Sequence, residues 1–319
     1  MSAPSDAGGG GLEDGLLATL RALATHKAAR GLTDDCAILD WPLGLQLVAT
    51  HDMLAEGVHF TPHCPPADIG WKLVAVNLSD LAASGARPVG LLLGAGIGDG
   101  RGLEWARELL RGVGQAVERY GVPLLGGDTI RSGPASVLSL TALGSVPPGA
   151  ALERGGASVG DDLWLSGDIG AAGLGLRVAL GESFGDADAA LLKRYRRPMP
   201  RLALGQALRG LASAAMDVSD GLLIDASRLA AASGLRADLR SADIPLSDMV
   251  LAAAVPVSEL AALGDDYELL FAAHPGRRHE VEDAAAAART PVHRIGRLQA
   301  GAGLLLDGAL PPKLGYQHR

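Results

Sequence analysis

Six short acidic motifs hold most of the chemistry that this 319-residue chain can offer. They are Thr33-Asp34-Asp35, Thr50-His51-Asp52, Asn77-Leu78-Ser79-Asp80, Gly126-Gly127-Asp128-Thr129, Asp217-Val218-Ser219-Asp220-Gly221 and Asp265-Asp266-Tyr267-Glu268. Several stand where an apolar run stops. A carboxylate at the end of a strand points out of the sheet edge into a cleft, where open α/β sheets take their ligands. Converging carboxylates cannot all stay charged unless cations neutralise them. Mg²⁺ is the natural cation, since it is hard, takes oxygen ligands and is usually held by one or two carboxylates with substrate phosphates. The set therefore suggests a site for several Mg²⁺ ions and a polyphosphate.

Each motif has a plainer reading beside this one. An Asp after a strand often serves a turn or caps a helix. Asn77, Asp80 and Ser84 form one polar stripe on a helix, and such a stripe can be a solvated face. Ser219 is equally suited to capping the helix that follows it. Gly126-Gly127 could be a simple turn, or could let backbone N–H groups approach a phosphate. A single histidine such as His51 or His59 beside a strand is more often structural than catalytic. Arg194, Arg196 and Arg197 read as a solvated loop in preference to a phosphate clamp. Two other chemistries have no motif here: no G-x-x-x-x-G-K-[ST] and no Cys-x-x-Cys occurs.

The elements that must position these residues alternate along the chain. Strands are expected over 45–49, 88–97, 122–125 and 136–146, with helices over 71–84, opened by Asp68, and 102–120. The second helix is amphipathic, with Leu103, Ala106, Leu110, Val113 and Val117 on one face. Pro147-Pro148-Gly149 reads as a linker. Strands then follow at 162–166, 214–217 and 267–273, and helices at 170–180, 200–211, 221–233 and 278–288. The runs 292–298 and 303–306 read as a closing hairpin. The alternation implies an α/β (α+β) chain of two domains, 12–148 and 149–319, after a disordered tail over 1–11.

Composition narrows the function classes. Hydrophobic residues make up 48% and charged residues 20% of the chain, enough for a real core. The net charge of −8 and an aromatic content of 3% argue against nucleic acid as a partner. No apolar run is long enough to span a bilayer, and residues 1–11 carry no signal-peptide pattern. Two cysteines, Cys36 and Cys64, form no disulfide framework, which suits a cytoplasmic protein. Asp outnumbers Glu by 25 to 11, favouring turns and close metal contacts over helices.

In order along the chain, Asp34-Asp35-Cys36-Ala37, Gly57-Val58-His59-Phe60, Ala75-Val76-Asn77-Leu78-Ser79-Asp80-Leu81-Ala82, Gly126-Gly127-Asp128-Thr129, Arg197-Pro198-x-Pro200-Arg201, Asp217-Val218-Ser219-Asp220-Gly221-Leu222 and Asp266-Tyr267-Glu268-Leu269 resemble the thiamine-monophosphate kinases. These belong to the aminoimidazole ribonucleotide synthetase-like superfamily. The resemblance runs from about Gly31 to Tyr316. It implies the two-domain fold of that superfamily, with a homodimer through the N-terminal domain, and transfer of a phosphoryl group from ATP to thiamine monophosphate. It further implies that Asp35, Thr50, Asp52, Asp80, Asp128, Asp217 and Asp220 are Mg²⁺ ligands, with His51 at another ligand position. Gly127, Asp128, Arg154 and Ser219 match ATP contacts. His59, Asp265 and Tyr316 match contacts to thiamine monophosphate, and Asp128, Asp217 and Asp220 are the expected catalytic centre.

The chain departs from the family at a few positions. Thr33 replaces a glycine, and His51 replaces a hydroxyl residue that contacts metal. Asp265 replaces a glutamate one methylene longer, and the chain lacks the usual final aromatic. Other ATP-using members of the superfamily fit less well. Residues 8–11 hold no reactive cysteine of the selenophosphate synthetase kind, and no cysteine follows Cys64. A nucleotide-binding relative without catalysis is the remaining alternative.

Overall fold

The structure, a computed structural model, describes residues 12–316. The tail over 1–11 and the last three residues lie outside that range. In chain order the elements are α1 (Leu12–Leu23), β1 (Gln46–Ala55), α2 (Pro66–Ala83), β2 (Arg87–Ile97), α3 (Leu103–Tyr120), β3 (Leu124–Arg131) and β4 (Val137–Val146). There follow β5 (Asp162–Ser166), α4 (Ala171–Ala179), α5 (Asp188–Arg196), α6 (Leu202–Ala207), β6 (Ala212–Asp217), α7 (Leu222–Ala232) and β7 (Leu235–Leu239). The chain closes with the short helices α8 (Asp248–Leu251) and α9 (Val257–Leu260), then β8 (Leu269–Ala273), α10 (Arg278–Ala287), β9 (Val292–Ala300) and β10 (Gly303–Leu306). The first four strands form a sheet in the order β1-β4-β2-β3, and the other six a sheet in the order β10-β7-β9-β5-β8-β6.

The chain divides into two compact units, each drawn from separate stretches. One comprises the residues up to Asp40, Asp52–Leu73 and Gly90–Thr141; the other comprises Trp41–His51, Val74–Val89 and the chain from Ala142. In the first unit, α3 connects the parallel strands β2 and β3, as a parallel pair requires a crossover. Its buried face is Ala106, Leu109, Leu110, Val113 and Ala116. Leu103 and Val117, expected on that face, are only half-buried.

In the second unit, β5 and β8 are buried along their whole length. Alternate side chains feed two cores. Leu163, Leu165, Met216, Leu270 and Ala272 pack on one face with α4 and α7. Trp164, Ala215, Leu269 and Phe271 pack on the other with Leu204 and Leu208. Trp164 and Phe271 stack there with centroids 6.3 Å apart. Strands covered on both faces read as continuous apolar runs, and for that reason β5 is legible from sequence.

Several expectations need correction. β9 and β10 are not a hairpin. β7 lies between them, antiparallel to β9 and parallel to β10. Strand β3 does not stop at Leu125 but runs through Gly126-Gly127-Asp128 to Arg131. Helix α2 begins at Pro66, so Asp68 lies in its first turn instead of opening it; proline is well suited to such a start. The helix expected over 200–211 covers only Leu202–Ala207. β8 starts two residues late because Asp265 (φ 71°) and Tyr267 (φ 52°) take left-handed backbone, which no strand accommodates.

Candidate active site

In the second unit, β1 delivers a hydroxyl, α2 a hydroxyl and a carboxylate, and β6 a second carboxylate. Thr50 of β1 donates a short hydrogen bond to the Asp80 carboxylate of α2. Ser79, one residue earlier and fully buried, donates to Oδ2 of Asp217 at the end of β6, 2.7 Å away. Asp217 is only 5% exposed. Thr50, Asp80, Ser84, Arg154 and Asp217 share the wall of a cavity of ≈ 430 Å³. Burial pushes the Asp80 carboxyl above its ordinary range, against the pull of the Thr50 hydroxyl and the Arg154 charge. The solvated-face reading of the α2 stripe therefore fails: Asn77 is wholly buried and Ser84 falls beyond the end of the helix.

The loop after β6 is fixed on every side. The Ser219 carbonyl accepts from the Asp265 N–H (2.8 Å), and the Asp220 carbonyl accepts from the Tyr316 N–H (2.9 Å). Gly315 allows that approach, since a Cβ there would stand 2.6 Å from the Asp220 oxygen. The structure thus brings Ser219, Asp220, Asp265 and Tyr316 together, although they are nearly 100 positions apart in sequence at the extremes. The Tyr267 hydroxyl lies 3.3 Å from Oδ1 of Asp265. Ser219 does not cap α7, whose cap residue is Gly221. Instead Asp225, inside the helix, accepts from the Ser219 and Asp220 N–H groups, each at 3.0 Å. Sequence reasoning missed Asp225 and its partner Arg228. The signal available was their spacing of three on one helix face.

Below this loop lies a second buried polar cluster. Asp266 accepts from the Gly170 and Ala172 N–H groups at the start of α4, and burial pushes its carboxyl up to about 8. Burial also raises the Glu268 carboxyl, opposed by a two-pronged bond from Arg201 and by the Ser166 hydroxyl. Arg194 reaches Asp168 at 3.2 Å. The run at 194–197 is thus the last turn of α5 and its cap, not a solvated loop.

The first unit presents its acidic residues more openly. Asp35 is exposed in a segment without regular structure, and its neighbour Asp34 pairs with Arg30 at 2.9 Å. Asp128 is exposed on β3, with its Oδ1 bonded only locally to the Thr129 N–H at 2.9 Å. Gly127 beside it meets β2 closely, for a Cβ there would come within 1.9 Å of the Leu93 carbonyl. Alternation along β1 puts Thr50 and Asp52, both half-buried, on one face of the strand and exposed His51 on the other. His59 sits in a tight turn, where its Nδ1 accepts from the Ala55 N–H at 3.0 Å; the neutral ring then carries its proton on Nε2. Glu56 anchors that turn. Despite burial, Arg101 and the Ser136 N–H hold its carboxyl below the usual range.

Among the described residues, no three His, Cys, Asp or Glu side chains form a ready-made cation cage. The cavity of the second unit nevertheless fits a hard cation. Its lining offers the hydroxyls of Thr50 and Ser84 and the carboxylates of Asp80, Glu153 and Asp217 beside the Arg154 cation, and the oxygen donors among them leave ligand positions for phosphate oxygens and water.

Two family models match the chain: AIR synthase related protein, N-terminal domain, over residues 33–146, and AIR synthase related protein, C-terminal domain, over 158–307. A thiamine-monophosphate kinase of Caulobacter vibrioides is 40% identical over 301 residues, which cover 91% of this chain and 85% of that protein. The crystal structure of a thiamine-monophosphate kinase from Stenotrophomonas maltophilia K279a superposes with a TM-score of 0.81 at 37% identity, over 92% of this chain and 96% of that one. AaThiL complexed with AMPPCP and TMP superposes with a TM-score of 0.78 at 29% identity, over 100% and 99% of the two chains.

Proposed function

The chain belongs to the thiamine-monophosphate kinase family, and on that premise we propose that it transfers the γ-phosphoryl group of ATP directly and in line to the phosphate of thiamine monophosphate, assisted by several Mg²⁺ ions. The enzyme class is a phosphotransferase with a phosphate group as acceptor. The observation that carries the finer reading is the pairing of Asp80 with Thr50 and of Asp217 with Ser79 on the wall of one cavity beside Arg154.

The acceptor is a phosphate monoester, anionic at neutral pH, and needs no dedicated base. The barrier is repulsion between two polyanions. Bound Mg²⁺ supplies charge neutralisation at the phosphate oxygens. The residues we assign to cations by family position are Asp35, Thr50, Asp52, Asp80, Asp128, Asp217 and Asp220. His51, on the other face of its strand, would act through water. Arg154 places a positive charge beside Asp80 for the nucleotide phosphates, with Gly127, Asp128 and Ser219 as further ATP contacts. His59, Asp265 and Tyr316 orient thiamine monophosphate. Asp265 and Tyr316 suit that role because their backbones are bonded to the loop that carries Ser219 and Asp220. Little covalent work remains for the protein.

The apolar residues Met53, Leu92 and Ile130, exposed on the strands of the first unit, support a homodimer through that unit. Sedimentation at the dimer mass, lost in Ile130→Asp, is the expected result. No helix among the described residues is long and apolar enough to cross a membrane, and we place the enzyme in the cytoplasm. The deciding experiment is turnover with ATP, Mg²⁺ and thiamine monophosphate. Thiamine diphosphate and ADP should form one to one and stop on adding EDTA. Mg²⁺-dependent ATP binding without product would overturn the assignment of the acceptor.

A further inference from the structure

The peptide groups of Ser219 and Asp220 have no freedom left. Both N–H groups donate to Oδ2 of Asp225, and both carbonyls accept from Asp265 and Tyr316. What remains adjustable is the Asp220 side chain, and Arg228 fixes it. One guanidinium nitrogen of Arg228 lies 2.5 Å from Oδ2 of Asp220 and 2.8 Å from Oδ1 of Asp225.

A helix-surface ion pair would be the ordinary interpretation of Arg228 and Asp225, and such pairs are worth little. The burial excludes it here: Asp225 is 0% exposed, and a wholly buried carboxylate is retained only when its oxygens are bound. Its three bonds reach back to the loop and across to Arg228, not into solvent. Charge points the same way. Asp220, Arg228 and Asp225 together carry a net −1, so Arg228 cancels the buried carboxylate and leaves the charge of Asp220 for a cation. With its Oδ2 engaged, Asp220 keeps a single open oxygen in a set direction. Groups that bind a ligand's second atom in this way commonly tune metal affinity.

We propose that Arg228, seated on buried Asp225, is a positioning residue for phosphoryl transfer: it holds one carboxylate oxygen of Asp220 so that the other faces the cation. This rests on the reading of Asp220 as a Mg²⁺ ligand.

The test uses the full chain, with Mn²⁺ binding followed by electron paramagnetic resonance without ATP or thiamine monophosphate, and with Mg²⁺-dependent turnover as a second readout. Arg228→Met should weaken Mn²⁺ binding, and raise the Mg²⁺ concentration for half-maximal rate, by about 10–100-fold, with KM for thiamine monophosphate changed less than about twofold. Arg228→Lys, which keeps the charge but not the planar fork, should recover part of the loss. Unchanged or tighter Mn²⁺ binding in Arg228→Met overturns the inference. If that variant does not fold, Arg228→Lys decides alone, and binding equal to the parent overturns it. Asp220→Asn separates the two layers. Loss of Mn²⁺ binding there with none in Arg228→Met sinks the positioning role only, whereas no loss in Asp220→Asn removes Asp220 as a ligand and the inference with it.

Discussion

Asp128 and Asp217 both end an apolar run and look alike in sequence, yet their surroundings differ. Asp128 stands exposed on β3 and is held by one bond to the next residue's N–H. Asp217 is buried at the end of β6 and is gripped by a hydroxyl from another element, Ser79 of α2. The same contrast separates Asp35 from Asp80 and Asp220. In the first unit Asp35 and Asp128 stand exposed, where bound cations and substrate would order them. The other carries carboxylates ordered in advance by Thr50, Ser79 and Arg228. Preorganised groups do not have to be reoriented at the moment of reaction, which is where much of an enzyme's advantage lies.

Neutralising these two residues tests that contrast most strongly. Asp217→Asn and Asp128→Asn should each lower turnover by on the order of a thousandfold or more, equivalent to about 4 kcal/mol of transition-state stabilisation. Circular dichroism should show an intact fold in both. Near-parental turnover in either variant would remove that residue from the cation set. A smaller effect is expected from Ser79→Ala, which leaves a buried carboxylate short of a donor. It should cost about 1–3 kcal/mol of stability in urea melts, whereas Asp128→Ala, which removes an exposed carboxylate and its one local bond, should cost almost nothing. Equal costs would erase the distinction between the units.

The buried carboxylates of the second unit should also show in the pH dependence of stability. The folded-state value of Asp266, about 8, lies far above the ordinary carboxyl value of 3.8. Between those limits the folded chain holds a proton that the unfolded chain has released, so stability from this group is fully present below about pH 4 and is lost as pH rises through 8. Melting temperatures of the parent should fall over that window relative to Asp266→Asn. Parallel curves would show that Asp266 is ionised in the fold. The smallest expected effect is that of His51→Thr. Because His51 faces away from Thr50 and Asp52 on β1, restoring a hydroxyl should change turnover less than about threefold, as for surface substitutions outside a direct contact. A change beyond tenfold would place that side chain on the metal.

The candidates for the site were legible in the sequence, because hard-ion chemistry demands a particular side-chain type and strands end where their apolar runs end. β5 over Asp162–Ser166 and the core of α3 were also legible. Their patterns are local, and burial on two faces or one stripe leaves a direct mark on the residues. Other features leave no such mark. Residues 292–298 and 303–306 have the look of a hairpin, but β7 enters between them, since pairing is decided by which strand offers complementary edges and not by closeness along the chain. Nor does the run Gly126-Gly127 reveal that it continues a strand packed against Leu93.

What the sequence determined by itself is therefore the inventory: acidic and hydroxyl candidates in order, apolar strands to carry them, and a resemblance specific enough to name the reaction. Tertiary structure alone decided how those side chains are held. It buried Asn77, whose stripe with Asp80 and Ser84 could equally have been solvated. It turned Asp225 back onto the loop before its own helix, with Arg228 bridging to Asp220. It also tied Asp265 and Tyr316 to that loop. The physical reason is that a carboxylate's chemistry is intrinsic to the residue, whereas its burial, orientation and partners come from residues far away in the chain.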